Sequence, residues 1–266
     1  MTVDAGSDTG SGTDELYVVR TTPADPVPGA PTVVFVHGAM DRGLSFGRVI
    51  RLLADVPVVR YDRRGYGRSH ALAPVGLDVG AADLLAIVGD GPAVVVGHSM
   101  GGVLALMAAE QRPDAVVSVV AYEAPMPWTP WWHQNRKGSG TFLTAGLTPE
   151  ESAERFMRTM IGDERWDRLP ARGRAERRAE GPALLADLGA MRGPGAPYDA
   201  HLLSVPVVAG CGSESSVRHR RAALELAATA PQGELMEVVG ADHGVHLTHP
   251  ADLAAMARRA IARVAP

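Results

Sequence analysis

Short runs of β-branched residues recur along the chain, each followed by a glycine-containing turn and then a longer amphipathic stretch. The runs are residues 32–37 (TVVFVH), 56–62 (VPVVRYD), 93–97 (AVVVG), 115–123 (AVVSVVAYE), 205–210 (VPVVAG) and 234–239 (ELMEVV), with one earlier strand at 16–20. Several are nearly unbroken valine, the pattern of strands buried on both faces in a parallel sheet covered by helices. Helices are expected at about 44–54, 79–89, 100–112, 218–230 and 250–264. The last opens on Pro250 and places Leu253, Met256, Ala257, Ala260, Ile261 and Val264 at helical spacing. Strands alternating with helices predict an α/β protein with a doubly wound, mostly parallel sheet.

Residues 124–200 break this rhythm. They contain no convincing strand, open with APMPWTPWWHQNRKGSG and continue as three expected helices at about 149–161, 164–180 and 182–192. The stretch reads as a helical cap inserted over the C-terminal edge of the sheet. The core is then 15–123 plus 201–266, and 1–14 a disordered N-terminal tail.

Composition narrows the function classes. A chain of 266 residues, 46% hydrophobic and 21% charged, is globular and long enough for a substantial core. A net charge of −4 is small and of the wrong sign for a phosphate-reading nucleic-acid binder. No apolar run approaches the roughly 18–20 residues of a membrane helix. The first fifteen residues have neither a basic nor an apolar region, so a signal peptide is not expected. The lone Cys211 allows no internal disulfide and no zinc framework, which suits a cytoplasmic protein without a bound metal.

Three loops carry candidate chemistry. Gly97-His98-Ser99-Met100-Gly101 matches G-x-S-x-G, with a valine-rich strand running in and an Ala-rich helix running out. A serine on such a turn is held strained and exposed above the sheet, beside helix N–H groups that stabilise developing negative charge. The loop after 32–37 would lie next to it, so the backbone N–H groups of Ala39 and Met100 are the candidate oxyanion donors. His37 and Gly38 shape that strand exit. After the last strand comes Gly240-Ala241-Asp242-His243-Gly244. His243, nearest the strand end, is the candidate base; His246 is the alternative, and His249, before Pro250, suits a helix start. Cys211 at a strand end reads as a small buried hydrophobe.

With HG at 37–38, YDRRGYGRS at 61–69, GHSMGG at 97–102 and GADHGVHLTHP at 240–250, the chain resembles the α/β-hydrolase fold family, in its capped, serine-dependent form. The resemblance implies a Ser nucleophile, a His base, an acid between them in sequence, and no cofactor. It also implies that the charges of Asp62-Arg63-Arg64 are structural. The acid departs from the usual pattern. The register after the penultimate strand falls on Ser213, with Glu214 next to it. Glu123, closing the strand 115–122, is the other candidate and resembles the glutamate of some haloalkane dehalogenases. A carboxylate at the end of a doubly buried strand needs a hydrogen-bonding partner, which favours Glu123; Glu214 and Asp242 stay open.

In the cap, Met126, Trp128, Trp131, Trp132 and Phe142 are the candidate substrate pocket. The arginines and glutamates of 164–180 read as a solvated, salt-bridged face. The expected activity is hydrolysis of an ester, thioester, lactone or activated C–C bond in a small apolar molecule, through an acyl-enzyme on Ser99. The alternatives are a cofactor-free perhydrolase-like enzyme and a ligand-binding protein with little turnover. The expected partner is a small-molecule substrate, with no nucleic acid and no membrane; the sequence leaves the oligomeric state open.

Overall fold

The computed structural model describes residues 15–132 and 145–264, apart from 26, 28 and 194, and the backbone of 2–5. Eight strands form one sheet: β1 (Thr2–Ala5), β2 (Val18–Thr22), β3 (Thr32–Val36), β4 (Val58–Tyr61), β5 (Ala93–His98), β6 (Val116–Tyr122), β7 (Val207–Gly212) and β8 (Gly233–Val238). Their order is β1-β2-β4-β3-β5-β6-β7-β8. β1 and β2 run antiparallel to their neighbours, and β4 through β8 are parallel. Where a disordered tail is expected, residues 2–5 instead pair with β2 as an edge strand. Residues 6–14 lie outside the described residues.

The valine runs divide by alternation. Val34, Val36 and Val95 enter one buried cluster, while Val33, Phe35, Val94 and Val96 enter another on the opposite face. Both faces are covered, which is why these strands show no polar alternation. The helices are α1 (Gly47–Ile50), α2 (Leu77–Val88), α3 (Met100–Gln111), α4 (Pro149–Ile161), α5 (Asp163–Arg168), α6 (Ala171–Ala179), α7 (Gly181–Ala190), α8 (Val217–Thr229), α9 (Val245–Thr248) and α10 (Pro250–Ala262). The stretch expected as one helix at 44–54 is a short α-turn between two 3-10 turns, Gly43–Phe46 and Arg51–Leu53. The helix expected at 164–180 is broken into α5 and α6 at Pro170, which has no N–H to donate and clashes with the preceding turn.

Helices α4 to α7 lie between β6 and β7 in the chain. α4 begins with a capping box between Thr148 and Glu151, with Pro149 in its first turn. Trp166, fully buried, packs with Met157, Ala183 and Leu184 of these helices against Met40 and Tyr66 of the sheet loops. Buried charges reinforce the contact. Arg63 pairs with Asp187 of α7, Nη2 to Oδ1 at 2.5 Å, and the Tyr66 hydroxyl donates to Asp187 Oδ2 at 2.8 Å. Removing either member of that ion pair leaves a buried charge unmatched, a loss of about 3–5 kcal/mol. Glu180 accepts from Arg42, Arg177 and the Gly67 N–H. Asp62 accepts from the Gly43 and Arg68 N–H groups, so the charges of the 62–64 turn are structural. By contrast α6 buries no side chain, and arginine–carboxylate pairs lace its exposed surface and that of its neighbours.

Candidate active site

Ser99 sits between β5 and α3 with φ 53° and ψ −122°, outside the regions that L residues favour. Two glycines make the turn. A Cβ on Gly97 would stand 2.3 Å from the Gly101 carbonyl oxygen, and one on Gly101 would stand 2.1 Å from that of Val36. Among the described residues the non-glycine positive φ values are those of Met40, Ser99 and Glu123. All three occur on the loops after β3, β5 and β6, so the backbone strain is concentrated where those strands end.

Glu123 is fully buried. Its Oε2 lies 2.6 Å from His243 Nδ1. Its Oε1 accepts from the Gly212 N–H at 3.3 Å and from the Ser215 hydroxyl. Burial alone would raise its pKa, but the hydrogen bond and charge of His243 outweigh that and hold it below the ordinary carboxylate value. Glu214 is exposed, and among the described residues its one bond is from its backbone N–H to the Ala241 carbonyl. Of the two glutamates, Glu123 is therefore the one brought to His243. The His243 loop is also fixed by His98 Nε2, 2.7 Å from the His243 carbonyl oxygen, and by the Tyr122 hydroxyl on that of Asp242.

His246 faces elsewhere, with its Nε2 3.3 Å from Asp41 Oδ2. His37 is a bridge within the loop. Its Nδ1–H donates to the Gly38 carbonyl at 2.7 Å and its Nε2 accepts from the Arg63 N–H at 2.8 Å. That arrangement requires a neutral ring; burial, and then the Arg63 charge, lower its pKa accordingly. Burial also pushes the Cys211 thiol up to about 11, which makes it a poor nucleophile.

Ser99 and His243 open into one cavity of about 270 Å³. Its floor includes Ala39, Met40, Asp41, His98 and His246, and its roof is Phe156, Met157, Met160 and Ile161 of α4, with Arg165 and Arg177 nearby. Arg177 also donates to the Met40 carbonyl, tying the roof to the loop after β3. The expected aromatic pocket is a correction. Met126 and Trp132 are buried in the core cluster with Trp128 and Trp131 packed against it, and none of the four lines this cavity. Trp128 meets Tyr198 edge-on, and Trp132 meets the His219 ring. Phe142 lies outside the described residues.

His219 is the neighbour that sequence reasoning missed. Its ring stacks on His243 at 4.8 Å and 15°, and its Nδ1 lies 3.2 Å from Glu123 Oε2. Burial, with the His243 charge next, lowers its pKa well below the ordinary value, so it remains a neutral ring beside His243. Nothing in the VRHRR run of α8 signals this placement. Among the described residues no helix is long and apolar enough to cross a membrane.

A sequence profile described as the alpha/beta hydrolase family matches residues 33–256. The chain belongs to the alpha/beta hydrolase family. Its similarity to lipase LipV of Mycobacterium tuberculosis is 38% identity over 109 residues, 40% of either chain. That match spans less than half of LipV. A pimeloyl-acyl-carrier-protein methyl ester esterase of Chromobacterium violaceum is 31% identical over 84% of this hydrolase and 91% of the relative. A thermophilic esterase from Thermogutta terrifontis shares the fold, with a TM-score of 0.69 at 20% identity over 97% of this chain and 96% of that one.

Proposed function

We propose that this hydrolase cleaves an ester or thioester of a small, largely apolar acyl group through an acyl-enzyme on Ser99. The observation that carries the reading is that Ser99 shares a cavity with His243, whose Nδ1 lies 2.6 Å from buried Glu123. Ser99 Oγ attacks the substrate carbonyl while His243 Nε2 takes its proton. Glu123 keeps the imidazole in the Nδ1–H tautomer and balances the imidazolium that forms. The N–H groups of Ala39 and Met100 stabilise the oxyanion. Collapse of the tetrahedral intermediate expels the alcohol or thiol, which leaves with the proton held by His243. A water, activated by the same imidazole, then releases the acid and restores Ser99.

The apolar side chains of α4 above the serine support an acyl chain rather than a polar group in the pocket. The relatives named as a lipase and a methyl ester esterase support oxygen esters as the first substrates to try. A cytoplasmic setting is part of the proposal, supported by the lone, buried Cys211. The test combines p-nitrophenyl esters of graded chain length with a fluorophosphonate probe. Turnover and covalent labelling that both vanish in Ser99→Ala are expected. Folded protein that neither turns over nor labels would instead be a ligand-binding member of the family.

A further inference from the structure

Four imidazoles form a column across the site. His219 stacks on His243 with ring centroids 4.8 Å apart, and His98 lies 4.6 Å from both His243 and His246. Glu123 closes one end of the column and Asp41 the other. Acyl transfer at Ser99 engages the Glu123 end; His98 Nε2 holds the His243 carbonyl there, while Asp41, His246 and the Nδ1 of His98 are given no task.

The two ends differ in how their nitrogens are used. At the Glu123 end, the Nδ1 atoms of His243 and His219 both face the carboxylate, and His219 Nδ1 also lies 3.1 Å from the Ser216 hydroxyl. At the Asp41 end, His98 Nδ1 and His246 Nδ1 are buried without a hydrogen-bond partner among the described residues. The tautomer of His98 follows from its neighbour. Its Nε2 faces the His243 carbonyl oxygen, which only accepts, so Nε2 carries the hydrogen and Nδ1 the lone pair. A ring that donates from one nitrogen to a backbone carbonyl and offers a lone pair from the other is oriented as a metal-ligating histidine is.

The spacing agrees. His246 Nε2 and Asp41 Oδ2 are 3.3 Å apart. Two donors on a tetrahedral zinc ion, each bonded at about 2.1 Å, stand about 3.4 Å apart. One donor atom from each of Asp41, His98 and His246 lies within 4.8 Å of the others, so a closure of at most about 1.4 Å completes the set.

We propose that Asp41, His98 and His246 bind a divalent transition-metal cation of the Zn²⁺ or Co²⁺ kind in the wall of the Ser99 cavity. Two imidazoles and a carboxylate select such ions over Mg²⁺ and Ca²⁺, which take oxygen donors. Three protein ligands leave a fourth position for water or a small anion. All three residues line the cavity that holds Ser99, so the ion enters by the route a substrate takes.

The experiment is a Co²⁺ titration of the full chain, read by visible absorption and equilibrium dialysis, and it does not depend on the acyl-enzyme reading. One Co²⁺ per chain, displaced by Zn²⁺, is expected. Asp41→Asn and His246→Gln should each weaken binding at least about tenfold, while His219→Phe leaves it unchanged. Binding retained in the first two variants and lost in His219→Phe would put the ion at the Glu123 end and overturn the proposal. So would no uptake at millimolar Co²⁺. If either variant fails to fold, the ¹⁵N shift of His98 Nδ1 in the unsubstituted protein decides: Zn²⁺ must move it, and a resonance that stays in place overturns the site.

Discussion

Each end of the imidazole column holds a carboxylate with two imidazoles, and the two sets are built differently. Glu123 is fully buried and both of its oxygens are engaged, by His243 and His219 on one and by Gly212 and Ser215 on the other. Asp41 keeps partial exposure, accepts from the Ser45 hydroxyl at 3.0 Å, and faces His246 at 3.3 Å. The Glu123 set is closed: desolvation makes its short contact with His243 strong, and the remaining partners fix the carboxylate in place. That suits a group whose work is to hold a tautomer and then balance an imidazolium. The Asp41 set is open, with two ring nitrogens unpartnered among the described residues. Residue types alone do not separate a proton-handling cluster from a ligand-binding one; the accounting of hydrogen bonds does.

The comparison breaks most visibly at the base. His243→Ala should lower kcat by on the order of 10⁶ if Ser99 and His243 act as a unit, as nucleophile and base do in subtilisin. Steady-state kinetics on a p-nitrophenyl ester checks it. A loss that follows His246→Ala instead would mean that the Asp41 side carries the proton. Glu123→Gln comes next, at about 10⁴, since an amide favours the wrong tautomer and cannot support the imidazolium. Asp41→Asn, assayed without added metal, should fall far short of that. Equal losses in the two variants would erase the distinction between the sides.

A smaller effect belongs to the buried rings. His98 and His219, one toward each end of the column, have pKa values well below the ordinary histidine value; burial is the main cause in both, followed by the charge of His243. Their folded forms stay neutral, whereas in the unfolded chain they take up protons below about pH 6.5. The unfolded state then binds more protons, so stability rises with pH and is lost as pH falls through that value. Depressed pKa values at Glu123 and Asp41 act with the same sign at lower pH, through the ordinary carboxylate range. Denaturation midpoints measured at pH 7.5, 6.5 and 5.5 should fall in that order. His219→Phe should flatten the dependence by removing one ring that must stay neutral; an unchanged slope would mean that His219 is charged in the fold.

How much of this was legible depended on where the information lay in the chain. Ser99 and His243 follow from local context, a strand, a turn and a helix within a few residues. Glu123 was legible for a thermodynamic reason, because a carboxylate ending the apolar run 115–122 needs a partner. The tryptophans misled, since large rings between two elements fill a core as readily as a pocket, and here they pack around Tyr198 and His219. The residues that roof the cavity, Phe156, Met157, Met160 and Ile161, are legible as the apolar side of one helix, but not as the part of it left facing Ser99. Asp41 on the loop after β3, His98 at the end of β5 and His246 in α9 are distant in sequence, and only the sheet order makes them neighbours.

The smallest expected effect tests the acid by what it leaves alone. Glu214→Gln removes the carboxylate one residue past Ser213, where the usual register of the family puts its acid. In this fold that side chain is exposed, and its backbone N–H is tied to the Ala241 carbonyl. Water solvates it, so its charge reaches His243 through a high effective dielectric and is screened further by salt. A change in kcat/KM of tenfold or less is expected, shrinking as ionic strength rises. Glutamine keeps the volume, so no cavity confuses the result. A loss of several hundredfold that salt does not reduce would mean that Glu214 reaches His243 during turnover and that the acid moves between two loops. Glu123, with His243 and His219 both against its Oε2, would then be a support for the imidazole stack.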